Sequence, residues 1–360
     1  MSIYILLAIF SIIMIIFNDF SISKKNINIS SILSGTILLI MFIISASRMP
    51  SVGADTIIYI QYFDLIKELT LQEAFLQLPS LESGYILLNK ILAFFTTNSQ
   101  IITIFNSLLL ILTLTIFSKK TSKNILLTLF LFIILGFYQS SFNIVRSCYA
   151  VFLAYIALTT YEKSKTKSII LYIIAFLFHK SIIVLLLVPL LNILPINKKN
   201  IKYYLLIIAL LYLSLDYLLP YINYLIPSQY SYYAQKETEG IIEKALLLIV
   251  HISLFIFTSS FIKNKASFIE KNKIFYIFII LETLFYCFSI KYAMFTRVAY
   301  IFSMYTIISI PNIIENIENT KTRNKIKYIV IFACLIQFII RLFINNIGGT
   351  IPYHSLISWY

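Results

Sequence analysis

Long apolar runs recur along this whole chain of 360 residues. A helix of roughly 16–20 apolar residues crosses the ~30 Å hydrocarbon core of a bilayer, whereas barrel strands alternate apolar with polar residues. The runs lie near residues 2–17, 29–47, 101–117, 124–139, 143–160, 168–194, 202–219, 241–262, 274–290, 297–312 and 328–346. A soluble fold could not bury this much apolar surface. The sequence therefore predicts an all-α, polytopic transmembrane helix bundle with about 10–12 spanning helices, built as a single membrane domain over residues 1–360.

The composition and charge exclude several other classes of protein. Hydrophobic residues make up 60% of the sequence and charged residues only 12%, against about 25% charged residues in a soluble domain. Most basic residues lie in short clusters between the apolar runs, so the net charge of +14 does not indicate a nucleic-acid partner. The three cysteines are separate, and metal-ligand spacings, phosphate loops and dinucleotide fingerprints are absent from the sequence. We therefore expect no metal ion and no cofactor.

The basic clusters predict how the chain is oriented. Lysine and arginine concentrate in the cytoplasmic loops of membrane proteins. The clusters are Lys24/Lys25, Lys119/Lys120/Lys123, Lys163/Lys165/Lys167, Lys198/Lys199/Lys202, Lys263/Lys265/Lys271/Lys273 and Lys321/Arg323/Lys325/Lys327. With these in the cytoplasm, a long loop, 48–100, and a shorter one, 220–240, face the extracytoplasmic side. Residues 168–194 must then cross twice, as a hairpin with His179 at its outer tip, and 85–95 must be re-entrant or lie on the membrane surface.

Several of these segments have more than one interpretation. Residues 168–194 also suit one long tilted helix or two short half-spanning helices. The first run, 2–17, lacks the basic start and cleavage site of a signal peptide, so we expect it to be the first spanning helix. The tyrosines of 220–240 suit an aromatic belt at the membrane interface, and they would also suit a sugar-stacking surface.

The predicted first outer loop holds candidate catalytic carboxylates. It begins R-M-P-S-V-G-A-D, where Pro50 and Gly53 end the preceding helix and Asp55 follows. Residues 61–78 place apolar side chains roughly on one face and predict an amphipathic helix resting on the bilayer or on the bundle. Asp55 and Glu82 are candidate acid–base groups or ligands for sugar hydroxyls. The alternative is that both are solvated loop charges.

Three of the five arginines form a candidate anion site. Arg48, Arg146 and Arg297 fall at or near predicted outer ends of helices, where positive charge opposes the usual orientation rule. A guanidinium grips phosphate or carboxylate at two points and stays charged when partly desolvated. We therefore predict that the three bind an anionic headgroup. The alternative is that each one extends to the interface or pairs with an acid.

His179 is the most informative single residue, because it interrupts a strongly apolar run at F-L-F-H-K-S. An imidazole is costly to bury without a partner, and it transfers protons near neutral pH. His179 is a candidate catalytic base; the alternative is a histidine that caps a broken helix beside Ser181. His251 lies inside another run and is interpreted as structural. Glu282, in mid-helix, needs a buried partner or a wet cavity, and it is a candidate substrate contact.

The chain also resembles a known family, the EpsG-like polysaccharide polymerases, which are relatives of the Wzy O-antigen and capsule polymerases. The resemblance rests on motifs in order along the sequence: R-x-x-x-V-G-x-D-T-x-x-Y (Arg48 to Tyr59), E-x-G-Y (Glu82 to Tyr85), N-x-V-R-x-x-x-A (Asn143 to Ala150), F-H-K-S (Phe178 to Ser181) and R-V-A-Y-I-F (Arg297 to Phe302). It covers most of the chain, from about residue 30 to the end. In that family a glutamine often follows the arginine of the N-x-V-R-x-x-x-A motif; here the residue after Arg146 is Ser147.

The resemblance implies a metal-independent membrane glycosyltransferase of the bacterial plasma (inner) membrane, with its site on the extracytoplasmic side. Such an enzyme joins oligosaccharide repeat units carried on undecaprenyl diphosphate, in the synthesis of O-antigen, capsule or exopolysaccharide. The lipid-linked donor and acceptor glycans and membrane lipid are the implied partners. Flippase and chain-length regulator proteins are implied as further partners, and nucleic acid is not.

The resemblance also implies roles for individual residues. Arg146 and Arg297 would bind the diphosphate, and His179 would deprotonate the acceptor hydroxyl or hydrogen-bond to it. The other candidates for catalysis or substrate binding are Arg48, Asp55, Tyr59, Glu82, Tyr85 and Glu282. Two other functions stay open. One is a transporter or flippase that uses the arginines as a headgroup site without making a bond; the other is a membrane O-acyltransferase, which the scarcity of polar intramembrane residues disfavours.

Overall fold

The computed structural model describes residues 2–22, 28–196, 198–225, 241–344 and 346–356. Over these residues the chain forms helices and no β-strand, apart from an isolated bridge between Arg48 and Ser355. The described helices that are long and apolar enough to cross a membrane are Ile3–Ser21, Ile29–Ala46, Gln100–Thr121, Lys202–Tyr221, Lys273–Lys291 and Phe295–Glu315. The prediction of an all-α polytopic membrane protein is therefore confirmed. The predicted number of crossings and their orientation stay predictions.

The described chain groups into two compact units, and the first lies within residues 1–182 and 327–360. Its helices are α1 (Ser2–Ile22), α2 (Asn28–Ala46), α3 (Thr56–Glu68), α4 (Leu71–Gln77), α5 (Ser83–Phe95), α6 (Gln100–Thr121), α7 (Ile125–Ile134), α8 (Phe137–Ser140), α9 (Val145–Thr160) and α10 (Lys165–Phe178). The centre of this unit is α7, whose sequence ILLTLFLFII is apolar all round and almost wholly buried. A helix without a polar face must be covered on every side, and α1, α2 and α6 pack against it.

The second unit lies within residues 183–326. Its helices are α11 (Leu187–Leu191), α12 (Lys198–Leu225), α13 (Ile241–Ser260), α14 (Lys265–Lys271), α15 (Lys273–Lys291), α16 (Phe295–Ser303), α17 (Thr306–Glu315) and the start of α18 (Thr320–Ile344), which continues into the first unit. Aromatic rings fill its interior. Phe278 stacks on Tyr305 with the ring centroids 3.8 Å apart, and Phe285 stacks on Phe302 with the centroids 5.4 Å apart. Such pairs add to the stabilisation that apolar burial supplies.

The segment 61–78, predicted as one amphipathic helix, is divided between α3 and α4. Helix α3 ends at Glu68, with Leu69 as its C-cap. Thr70 then caps α4: its hydroxyl accepts from Glu73 N at 3.3 Å, and its own N–H donates to Glu73 Oε2 at 2.7 Å. This reciprocal capping box favours a new helix start. The next helix, α5, includes the predicted short stretch 85–95. Its 13 residues extend ~20 Å, less than the bilayer core.

The predicted interruption of 168–194 is confirmed. Helix α10 ends at Phe178 with His179 as its C-cap, a 3₁₀ helix follows over Lys180–Leu186, and α11 completes the segment. The predicted outer loop 220–240 begins inside α12, which contains Pro220, and its residues 226–240 lie outside the described residues. Whether 1–360 form a single membrane domain stays a prediction, and the two units are described separately.

Candidate active site

Glu82 lies where the chain turns into α5, at the N-cap of that helix. Its side chain is 2% exposed. The following glycine explains how this turn can be so close to another helix. A Cβ on Gly84 would come within 2.8 Å of the carbonyl oxygen of Leu177, near the end of α10. The backbones of α5 and α10 therefore touch at Gly84, and this contact brings Glu82 next to the residues that follow Leu177.

Arg146 pairs with the Glu82 carboxylate through its Nη1 atom and Glu82 Oε2. It lies in the first turn of α9. Two tyrosine rings flank the guanidinium, with Arg146 Cζ 5.0 Å from the Tyr85 ring centre and 5.7 Å from that of Tyr59. The rings meet edge to face at 6.0 Å. Aromatic faces attract a cation at such distances, so α3 and α5 together orient a side chain supplied by α9.

His179, at the end of α10, also lies beside the Glu82 carboxylate. Its Nδ1 atom lies 3.2 Å from Glu82 Oε1, and the backbone N–H of Lys180 donates to the same oxygen at 3.4 Å. The His179 side chain is 13% exposed and that of Arg146 19%. The break in the helix and the placement of the imidazole are thus linked, because the chain leaves helical geometry where it meets the carboxylate.

The charge of Glu82 is fixed by its neighbours. Burial alone would raise the pKa of its carboxyl, but the contact with His179 and the positive charge of Arg146 outweigh burial and lower this pKa to about 2. Glu82 is therefore an anion at neutral pH and is not a proton donor there. Its position suits a group that orients an imidazole and a guanidinium, as buried carboxylates do in other catalytic sites.

Arg48 is buried, with 1% of its surface exposed. Its Nε donates to Thr56 Oγ1 at 3.2 Å, and its Nη1 contacts Ser45 O and Ser107 Oγ. Burial lowers the pKa of Arg48 to about 10, so it stays charged at neutral pH. Contacts to α2, α3 and α6 make Arg48 a link between the helices that frame the first loop. Its predicted contact with an anionic substrate stays a prediction.

Asp55 lies at the start of α3, where its backbone N–H donates to Asn143 Oδ1 at 3.3 Å. Asn143 also accepts a hydrogen bond from the Tyr59 hydroxyl through its backbone carbonyl. Asp55 and Tyr59 are therefore held beside the turn that leads into α9 and Arg146. This polar link was not singled out from the sequence, although Asn143 stands in the N-x-V-R-x-x-x-A motif.

The remaining candidates belong to the second unit. Arg297 lies in the first turn of α16. Glu282, on α15, has the buried partner that its position required: His251 Nδ1, on α13, lies 2.5 Å from Glu282 Oε1. Thr306 donates to Glu282 Oε2 at 3.5 Å. His251 lies inside α13, and its structural role stays a prediction. The sequence did not identify it as the partner of Glu282.

The structure thus brings together five of the predicted site residues, from four helices of the first unit: Tyr59, Glu82, Tyr85, Arg146 and His179. We call these five residues the cluster. They combine a cation, a fixed anion and an imidazole beside two rings, which suits the binding of an anion and the removal of a proton. Among the described residues, no group of three or more His, Cys, Asp or Glu side chains could hold a metal ion.

Comparison with known protein families identifies a match over most of the chain. The model of the EpsG family matches residues 31–355. No curated protein and no solved structure is detectably similar to the chain. The matched range contains every residue of the cluster.

Proposed function

Because the chain belongs to the EpsG family, we propose that it is a membrane glycosyltransferase that polymerises lipid-linked oligosaccharide repeat units. The donor is a glycan on undecaprenyl diphosphate, and the acceptor is the non-reducing end of a second lipid-linked unit. We place the protein in the bacterial plasma membrane with the cluster on the extracytoplasmic side, where the basic loops predict it to be. The family supports a role in polysaccharide biosynthesis, and the polymerisation step is our proposal.

The observation that carries the proposal is the contact of Glu82 with both Arg146 and His179. In the proposed reaction the acceptor hydroxyl attacks the anomeric carbon of the donor, forming the new C–O bond. The bond between that carbon and the diphosphate oxygen breaks, and the lipid diphosphate leaves with the electron pair. The reaction therefore needs a base for the hydroxyl proton and a fixed positive charge near the departing anion.

His179 is the proposed base. Its Nδ1 faces the Glu82 carboxylate, which leaves Nε2 as the nitrogen that accepts the acceptor's proton. The carboxylate then stabilises the imidazolium that forms, as in hydrolases that use a His–Asp pair. Asp55 is the second candidate for this role in the first loop.

Arg146 is the proposed diphosphate ligand. Its Nη1 contacts Glu82, and its Nε has no hydrogen-bond partner among the described residues. A guanidinium held from one side by a carboxylate and from its face by Tyr59 and Tyr85 is oriented before the substrate arrives, which reduces the ordering cost of binding. We keep Arg297 as a proposed second ligand of the diphosphate, and Glu282 as a proposed substrate contact.

The direct test is reconstitution. Purified protein in liposomes is given undecaprenyl-diphosphate-linked repeat units, and the products are separated by length. A ladder of longer glycans is expected from the wild-type protein and from Arg323→Lys, a matched control whose arginine pairs with Glu315 at 3.7 Å outside the cluster. Translocation of the units at unchanged length would contradict polymerisation and identify a flippase.

A further inference from the structure

The segment that follows α18 packs against the first loop, and we call residues 346–356 the strap. Backbone hydrogen bonds join the strap to residues 47–54, around the start of that loop. Met49 N donates to His354 O at 2.9 Å, and Leu356 N donates to Ser47 O at 2.8 Å. The strap therefore runs antiparallel to the residues around Arg48.

A tight turn at the start of the strap lies against Gly53 and Ala54, just before α3. Gly53 N donates to Gly349 O at 3.0 Å, and Ala54 N donates to Gly348 O at 3.2 Å. Gly348 and Gly349 have positive φ angles of 64° and 67°, which favour glycine. These bonds set the strap directly beside Asp55.

Asn143 joins this turn to the candidate active site. Its Nδ2 donates to Gly348 O at 2.8 Å, while its Oδ1 accepts from Asp55 N and its backbone carbonyl accepts from the Tyr59 hydroxyl. The fit is close, because a Cβ on Gly348 would come within 2.4 Å of Asn143 Nδ2. One side chain thus contacts the strap and the first loop together, just before the helix that carries Arg146.

We infer, on the basis of the proposed function, that Asn143 is a positioning residue that fixes Arg146 through the strap. The strap holds Asn143 from one side, and Asp55 and Tyr59 hold it from the other. Because α9 begins at Val145, close after Asn143 in the chain, these bonds set where the first turn of α9 and its guanidinium lie. The strap is in this way part of the catalytic apparatus, although it contributes no reacting group.

The first experiment measures how closely the strap and loop are held, without any assay of activity. The Cβ positions of Ala54 and Gly349 are 3.8 Å apart, a separation that allows a disulfide. In membranes carrying Ala54→Cys with Gly349→Cys, mild oxidation should protect both new thiols from a maleimide mass tag added after denaturation. Adding Asn143→Ala should lower the cross-linked fraction several-fold. Adding Asn272→Ala should leave it unchanged, since Asn272 bonds Phe268 O in the second unit. An unchanged fraction with Asn143→Ala overturns the inference.

The second experiment measures catalysis per folded molecule in the proteoliposomes. Asn143→Ala should lower turnover roughly ten- to hundredfold, because small displacements of a substrate-positioning group are costly. Gly348→Ala should act similarly, and the double variant should lose little more than the worse single variant, since coupled residues are not additive. A purely structural role predicts fewer folded molecules with unchanged turnover and KM, which would overturn the inference. Full polymerisation by Arg146→Lys would instead overturn the proposed role of Arg146, and the cross-linking result would still stand.

Discussion

Each unit of the protein contains a histidine beside a glutamate, and the two pairs have different surroundings. Glu82 and His179 lie at helix ends with an arginine in contact, and the His179 side chain is partly exposed. Glu282 and His251 face each other from the interiors of two helices, with both side chains 1% exposed. A carboxylate–imidazole contact alone therefore does not mark a catalytic site. Placement at a chain break, access and a neighbouring cation distinguish the first pair.

The largest effect is expected from His179→Gln. Glutamine hydrogen-bonds but cannot take the acceptor's proton, so turnover should fall about 10²–10⁴-fold, the usual range for a general base. The polymer made per folded molecule is measured for His179→Gln and His179→Ala. If His179 only capped the end of α10, the Gln variant would make nearly normal polymer and the Ala variant would mainly yield less folded protein.

Substitutions in the second pair, His251 and Glu282, should change the stability of the protein. Removing the partner of a buried carboxylate typically costs about 3–5 kcal/mol, whereas replacing both groups with apolar residues is often neutral. His251→Leu should therefore lower the thermal unfolding temperature in detergent, and Glu282→Leu added to it should restore most of the loss. Equal destabilisation in the single and double variants would contradict this. Turnover per folded molecule in the double variant then tests whether Glu282 also contacts substrate.

Arg146→Lys should raise the barrier by about 2–4 kcal/mol, comparable to losing one oxyanion donor. Lysine keeps the charge but loses the planar fork that can hold Glu82 and a diphosphate together. The rate is measured at saturating donor, beside the Arg323→Lys control. Polymer of normal length from both variants at equal expression would show that the guanidinium has no special role.

The smallest effect is the loss of stability expected when the pH is lowered. The Glu82 pKa of about 2 lies below its ordinary value of 4.5. The stabilisation from this group is therefore complete above about pH 4.5 and is lost as the pH falls through about 2. Between pH 6 and pH 3.5 the loss should be about 1.4 kcal/mol, and Glu82→Gln should not show it. Unfolding temperatures measured over this range decide; parallel curves for the two proteins would contradict the expected charge of Glu82.

The residues of the cluster could be predicted from the sequence, but their contacts with one another could not. His179 was identifiable because one polar residue interrupted an apolar run, and Arg146 because a guanidinium is unusual beside apolar helices. That both contact Glu82 depends on the packing of α5, α9 and α10, which local periodicity does not encode. The same holds for Glu282: its need for a buried partner followed from its position, but His251 on another helix could be identified only from the structure.

The link through Asn143 could not be predicted for a different reason. Its amide bonds a backbone carbonyl at the far end of the chain, and any residue type can supply a carbonyl. The helices themselves followed from apolar runs, and the break at Thr70 followed a capping signal that could have been identified in T-x-x-E.

The contact at Gly84 has a consequence for how this protein tolerates mutation. The separation of Glu82 and His179 depends on a point where two main chains touch. Substitutions among the apolar residues along α5 and α10 can exchange one volume for another and leave that separation as it is. A single methyl group at Gly84 would act as a wedge between the carboxylate and the imidazole. The most sensitive position near the cluster is thus a residue with no side chain, and variation should be permissive along the two helices and strict at their point of contact.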